Sequence, residues 1–332
     1  MEQALNAAVH GAATGQPAAA SGAVVRARTA IWLVAVALCT IGLALVPAWG
    51  LSLSFWFYLA LWVTLASGLN IMGGFTGYLP FGYVAFYGVG AYAMAISVRM
   101  LGLPLEAGLA LAALVGLALS LLFARTLSLR GIYFSIVSLA LAVICRLLIA
   151  NLPDGVAGGS FGITLGLGRP QVAYWVMLVL MAATLLAVTW LSQSRLGLAL
   201  RAIRDDPETA EAMGIDIARA RLKAWMLAAT IAALTGAIEA WYTNIVDTET
   251  AFNLLVSTKT IIYAVAGGLG TVIGPVIGVI GMLAVDNLIW KNFPLLNVFF
   301  LGLVIVLLML FLSRGVVGTL IWRLPRLRRY LF

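Results

Sequence analysis

The sequence predicts an all-α polytopic membrane protein of about ten transmembrane helices, some of them short or broken by glycine. Three observations carry that prediction. Hydrophobic residues make up 63% of the chain and charged residues only 10%, against roughly one quarter charged in ordinary soluble domains. Apolar residues run continuously over lengths of roughly 20, where a membrane β-barrel would show short alternating segments. Basic residues, finally, fall in alternate connections between those runs. The mean hydropathy of +1.08 agrees with this class. Cys39 and Cys145 both lie in apolar runs and read as small packing residues, and the single histidine, His10, leaves no basis for His-based metal or triad chemistry.

Taken in order, residues 1–28 are Ala/Gly-rich with no basic region ahead of apolar residues, and they read as a disordered cytoplasmic tail rather than a signal peptide. The membrane domain, 29–315, holds apolar runs at approximately 30–48, 51–72, 81–98, 103–124, 132–150, 172–191, 224–245, 252–266, 271–288 and 295–312. The third and eighth are short and glycine-broken. With both termini inside, fifteen loop and terminal Arg/Lys fall on the inner side, and only Arg99, Arg169, Lys259 and Lys291 on the outer. That asymmetry fixes the expected orientation. The net charge of +8 then reflects topology and contact with anionic lipid rather than nucleic-acid binding, and residues 316–332 read as a basic cytoplasmic tail.

One long charged stretch interrupts the oily chain, an inner loop at 194–223. Inside it, Asp206, Pro207, Glu208, Thr209, Ala210, Glu211, Ala212, Met213 and Gly214 spell a complete short helix. Asp206 is placed to cap free amides, Pro207 suits the first helical position, Glu208 favours the positive end, and Gly214 closes the C-terminus. The spacing of Ala210 and Met213 puts them on one expected face, with Glu208 and Glu211 offering polar contacts.

Glycines mark two other places. Gly270, Gly274 and Gly278 recur every four residues and predict a smooth helix stripe for close backbone contact, with Pro275 as a candidate kink. Asn70, Gly77, Pro80, Tyr83, Gly88 and Gly90 fall in a second glycine-rich stretch, read either as a tight inner turn or as an unwound segment beside a transport route. Two charges lie within spans, Arg146 and Glu239, at similar outward depth. An isolated charge there costs at least ~2.5–3.5 kcal/mol, so both should face protein, water or each other. A structural ion pair and a place on a substrate path remain open readings, while Lys259 and Asp286 are expected near outer interfaces.

Five blocks in order, at 68–92, 129–134, 158–162, 194–214 and 267–278, make the chain resemble the M-type permease subunit of branched-chain amino acid ABC importers, of the high-affinity leucine/isoleucine/valine kind. The resemblance covers roughly 51–315. It implies an inner-membrane path shared with a second, homologous permease subunit, two ATP-binding subunits beneath, and a periplasmic substrate-binding protein that delivers the amino acid. It also implies that 206–214 is the coupling helix. This chain carries no Gly-x-x-x-x-Gly-Lys-Ser/Thr loop, so ATP and Mg belong to the partner ATPase subunits and the chain itself is a transport subunit, not an enzyme. Departures bear on substrate. Pro80 and Tyr83 stand where close relatives usually carry Ser and His, and Val143 stands where an acidic residue often precedes the arginine matched by Arg146. Urea, short amides or other amino acids are therefore alternative substrates. An ion-coupled secondary transporter would explain the spans but not the capped inner helix. A membrane-embedded enzyme would need clustered acid, base or nucleophile groups that the chain does not offer.

Overall fold

The computed structural model describes residues 52–129, 131–153, 158, 162–166 and 168–292, with single or paired positions at 36, 40, 42–43, 299, 302–303, 315–316 and 319. The expected N-terminal tail, Cys39, Arg130 and 159–161 lie outside the described residues, as do the first and tenth expected spans and the basic C-terminal tail apart from those few positions.

The architecture is all-α and membrane-like. Helices α1 (Leu53–Gly73), α2 (Val84–Arg99), α3 (Leu105–Leu122) and α4 (Ile132–Ala150) are followed by α5 (Pro170–Gln193), α6 (Arg195–Asp205), α7 (Pro207–Ala212) and α8 (Ile217–Thr243). The short α9 (Thr248–Ala251), α10 (Leu254–Gly267) and α11 (Gly274–Asn292) complete the described chain, and a 3-10 turn, Ala124–Ser128, joins α3 to α4. Among the described residues five helices are long and apolar enough to cross a membrane: α1, α3, α4, α5 and α8.

The expectation of ten comparable spans is corrected here. The run at 81–98 becomes a helix of 16 residues, because Gly82 and Tyr83 form a turn ahead of it. The run at 252–266 becomes a helix of 14 residues whose C-cap, Gly268, sits at φ +117°, a conformation that ends it. The helix after it starts only at Gly274.

Helix α8 is the axis of the bundle. It packs against α1, α2, α3 and α5, while α3 and α4 expose most of their surface. Small residues make that centre possible. A side chain on Gly236 would overlap the backbone of Tyr87, one on Gly90 the backbone of Ala233, and one on Gly116 the Ala233 methyl at 2.5 Å. Where lipid and protein are equally apolar, such close backbone approach is what favours helix association. Aromatic edges fill the remaining gaps, with Trp225 set edge-on to Phe86 (4.9 Å) and Phe134 (5.6 Å).

The two ends of the bundle differ in chemistry. At one end the 3-10 turn, α6, α7 and the start of α8 gather Arg125, Arg195, Arg201, Arg204, Arg219, Arg221 and Lys223. At the other, β1 (Ile163–Thr164) pairs antiparallel with β2 (Ile245–Val246), tying together two connections that the charge distribution assigns to the same, outer side. The segments brought together at each end are those that sequence parity places on one face of the membrane.

Candidate functional site

The short helix at the basic end forms as its sequence dictates. The Asp206 carboxylate accepts hydrogen bonds from the amides of Glu208 (3.0 Å) and Thr209 (3.3 Å) and from the Thr209 hydroxyl (2.5 Å). Those bonds, the Thr209 hydroxyl foremost, hold the Asp206 carboxyl below its ordinary pKa. The cap is therefore complete at neutral pH and weakens only as pH falls through that lowered value. Pro207 occupies the first helical position. At the other end Gly214, at φ +83°, donates to the Glu211 carbonyl (2.9 Å) and Ile215 donates to Ala210 (3.1 Å), the paired bonds of a Schellman closure.

The expected common face of Ala210 and Met213 is not present. Ala210 is only 3% exposed, packed within its own chain, whereas Met213 is 79% exposed. Met213 is the C-cap, its amide still bonded to the Thr209 carbonyl (3.0 Å), and its side chain stands out from the surface at the end of the helix. Glu208 and Glu211 are exposed. Beside Glu211, a cavity of about 660 Å³ opens between the 3-10 turn and the start of α8, lined by Arg125, Leu127, Ile215, Arg219 and Leu222 among others.

Behind this helix, α6 holds the loop that ends α1. The Arg204 guanidinium donates through Nη1 to the Gly74 carbonyl (2.7 Å), placing a cation at the negative end of α1. Arg201 lies over the Phe75 ring at 5.1 Å and Arg221, from α8, over the Tyr78 ring at 4.1 Å. Gly77, at φ +75°, leaves room for the Arg204 side chain, whose Cγ lies 3.0 Å from where a Cβ would sit. Fully buried Asn70 then joins this loop to the break between α10 and α11. Its Nδ2 donates to the Thr271 carbonyl (2.8 Å) and its Oδ1 accepts from the Gly270 amide (2.8 Å). Both amide groups of one side chain thus satisfy backbone that has left the helix, as irregular backbone at membrane depth requires.

The glycine stripe also differs from its expected form. Gly270, at φ +81°, lies in the break and not on a helix. The close approach is made instead by Gly267, Gly274 and Gly278: a side chain on Gly278 would meet the Gly267 amide at 2.6 Å, and one on Gly267 would overlap the Gly274 carbonyl. Thr271 turns the chain into α11 by accepting from the Gly274 amide (3.0 Å). Pro275 sits in the first turn of α11, where its missing amide leaves no bond unmade, so no kink is needed to accommodate it.

The start of α2 is fastened as well. The Val84 amide donates to Ser257 (2.8 Å) and the Gly82 amide to Ser138 (3.2 Å), while buried Tyr83 donates to the Ala228 carbonyl (2.9 Å). Pro80 is buried beside it, and Gly88 takes the Phe252 ring where a Cβ would come within 2.6 Å of it. These residues form an ordered turn against α4, α8 and α10.

Arg146 and Glu239 are not partners. Arg146 lies on the exposed side of α4, which packs on α2 and α9, and among the described residues it makes no ion pair with Glu239. Glu239 instead helps line a cavity of about 270 Å³ at the end opposite the arginines, with Tyr58, Tyr87, Thr243, Asp247 and Thr250 among the walls. An ion pair does join Lys259 to Asp286 at 2.9 Å, between α10 and α11. Sequence reading missed this pairing, the arginine contacts and the second cavity acid, Asp247. The three-residue spacing of Arg201 and Arg204 on an amphipathic segment was the one local signal for any of them.

A bundle of membrane-crossing helices, with a self-capped short helix between two of them and glycine-broken helices behind it, defines a polytopic membrane protein. The family described as branched-chain amino acid transport system / permease component matches residues 51–309, and the chain belongs to it. The chain is 28% identical over 288 residues to the high-affinity branched-chain amino acid transport system permease protein LivM of Salmonella typhimurium, covering 77% of this chain and 67% of that one. It is 27% identical over 288 residues to the LivM protein of Escherichia coli K12, with the same coverage. No solved structure matches the chain.

Proposed function

We propose that this chain is one of two permease subunits of an ATP-driven importer in a bacterial inner membrane, carrying branched-chain or related amino acids inward. The observation that carries the reading is the self-capped helix Pro207–Ala212. It buries Ala210 against its own chain but leaves Glu208, Glu211 and Met213 exposed, stands at the basic end of the bundle, and is joined through α6 to broken helices within the membrane domain. A helix so placed serves as a contact for a partner that moves. The partners are two ATP-binding subunits, which use ATP and Mg, a second homologous permease subunit, and a periplasmic binding protein that loads the path from outside. The exposed flank of α4 and its Arg146 fit the subunit or lipid boundary, and the acidic cavity fits the outer part of the path. The M-type assignment follows the names of the two relatives. A cytoplasmic place for both termini and the basic end is supported by fifteen of nineteen loop and terminal basic charges lying on one side of the expected topology.

Orientation is tested by labelling. In a background without Cys39 and Cys145, a cysteine at Thr209 is expected to react with an impermeant reagent only after the cytoplasmic side is opened. Rapid reaction in intact cells would invert the topology. The docking face is tested at Met213, because Ala210 belongs to the interior of this chain. Met213→Arg is expected to lower co-purification of the ATPase subunits, or their stimulation by loaded binding protein, by about tenfold or more, as loss of an interface anchor does. Met213→Leu should retain both. Unchanged association and stimulation in Met213→Arg would remove the helix from the interface.

A further inference from the structure

Two breaks in the membrane helices meet at one point, and that point is held from the basic end. Asn70 bonds both backbone partners across the break between α10 and α11, through Thr271 (2.8 Å) and Gly270 (2.8 Å). Its own carbonyl accepts the amides of Gly74 (2.9 Å) and Phe75 (3.2 Å), which fixes the loop leaving α1. Arg204 reaches the same loop by a charge-assisted bond to Gly74 (2.7 Å) and stands only 2.8 Å from where a Cβ on Gly270 would sit. Asn70, Gly74 and Gly270 leave no room between them, while the Arg204 side chain reaches them from the surface and also lies 3.6 Å from Asp205. A Cβ on Gly74 would overlap Asn70 and the Gly270 amide, so neither loop can shift without the other.

Arg204 lies two residues before Asp206, the cap of the short helix, on the continuous segment α6–α7. A displacement of that helix therefore reaches the ends of α1 and α11 through two side chains. Packed junctions of this kind transmit small shifts because they do not deform continuously. Two further arginines, Arg201 and Arg221, hold the same loop by the aromatic faces of Phe75 and Tyr78.

We propose that Arg204 and Asn70 act in series as positioning residues that carry movement of the Pro207–Ala212 helix to the paired breaks at 74–77 and 268–273. This deepens the importer reading and rests on it. The test uses the complete complex in proteoliposomes, with loaded binding protein, radiolabelled leucine as probe, and ATP hydrolysis measured in parallel. Arg204→Met keeps an apolar stem and removes the donors. Leucine uptake per ATP hydrolysed is expected to fall about tenfold, with subunit recovery unchanged, because the bond removed is a charged one. Arg204→Lys, which retains one cationic donor, should recover part of the loss. The double variant Arg204→Met/Asn70→Ala should be no worse than its more damaging single, as expected for groups in series. Unchanged uptake per ATP in Arg204→Met overturns the proposal, and so does a multiplicative loss in the double variant. Loss of ATPase subunits from Arg204→Met also overturns it, in favour of a role in assembly. The underlying reading fails separately if the unmodified complex imports leucine without ATP.

Discussion

Gly278→Ala is expected to destabilise the folded bundle by about 1–3 kcal/mol, the range for forcing atoms into a packed interior. Gly281→Ala, one turn further along the same helix, is expected to be neutral or stabilising. A Cβ at 278 would overlap the Tyr263 carbonyl and come within 2.6 Å of the Gly267 amide, both of them backbone and unable to swing aside. A Cβ at 281 meets nothing within 4 Å. Replacing a helical glycine in open space with alanine recovers up to ~1 kcal/mol of helix propensity. The pair therefore separates a requirement for close contact from a general preference for glycine in α11. Thermal unfolding in detergent, followed by recovery of monodisperse protein after heating, reads both. Equal behaviour of the two variants would mean that α10 and α11 are not in backbone contact. Gly274→Leu should resemble Gly278→Ala, since its side chain would overlap the Gly268 carbonyl and Thr271.

What the sequence made legible follows local chemistry. The cap at Asp206, the proline after it and the closing glycine at 214 each act within four residues, so the helix they bound was readable in full. The sharing of ends was readable too, because charge in loops reports side without any knowledge of packing. Azimuth was not. Arg146 and Glu239 have similar expected depth, yet Arg146 is exposed on α4 while Glu239 lines a cavity, and depth along a helix says nothing about which neighbour a side chain meets. The converse holds for Lys259 and Asp286, assigned separately to interfaces and found paired across α10 and α11. Periodicity misled at Gly270, where a four-residue repeat runs through a backbone that has already turned to positive φ. At Ala210 and Met213 periodicity gave no sign that one residue is buried in its own chain and the other exposed. Neither feature has a hydropathy signature. The link through Asn70 depends on partners 200 and 201 residues away, a distance at which only the fold supplies the pairing.

Glu239→Gln is expected to reduce uptake of leucine by about tenfold or more while leaving uptake of urea, if urea is carried, within twofold. The cavity that Glu239 helps line has two carboxylates in its wall, Tyr58 and Tyr87 among its lining residues and, among the described residues, no Lys or Arg. Asp247 has already committed its oxygens to the Glu249 and Thr250 amides at 2.9 and 2.8 Å, and to the Thr250 hydroxyl. Glu239 is thus the carboxylate better placed to receive a substrate ammonium. A hydrogen bond to a charged group contributes about 1.5–3 kcal/mol, which corresponds to roughly ten- to over a hundredfold in a binding or rate constant. The glutamine has almost the same shape and removes only the charge. A neutral substrate has no ammonium to lose, so the ratio of the two uptakes reads the contact while absolute expression cancels. An equal loss for leucine and urea would assign Glu239 to packing of α8 against its neighbours. Leucine uptake equal to the unmodified complex would take the cavity off the path. A leucine-selective loss, with ATP hydrolysis and complex recovery intact, would place the amino group of the substrate at the outer end of α8 and favour amino acids over amides as cargo.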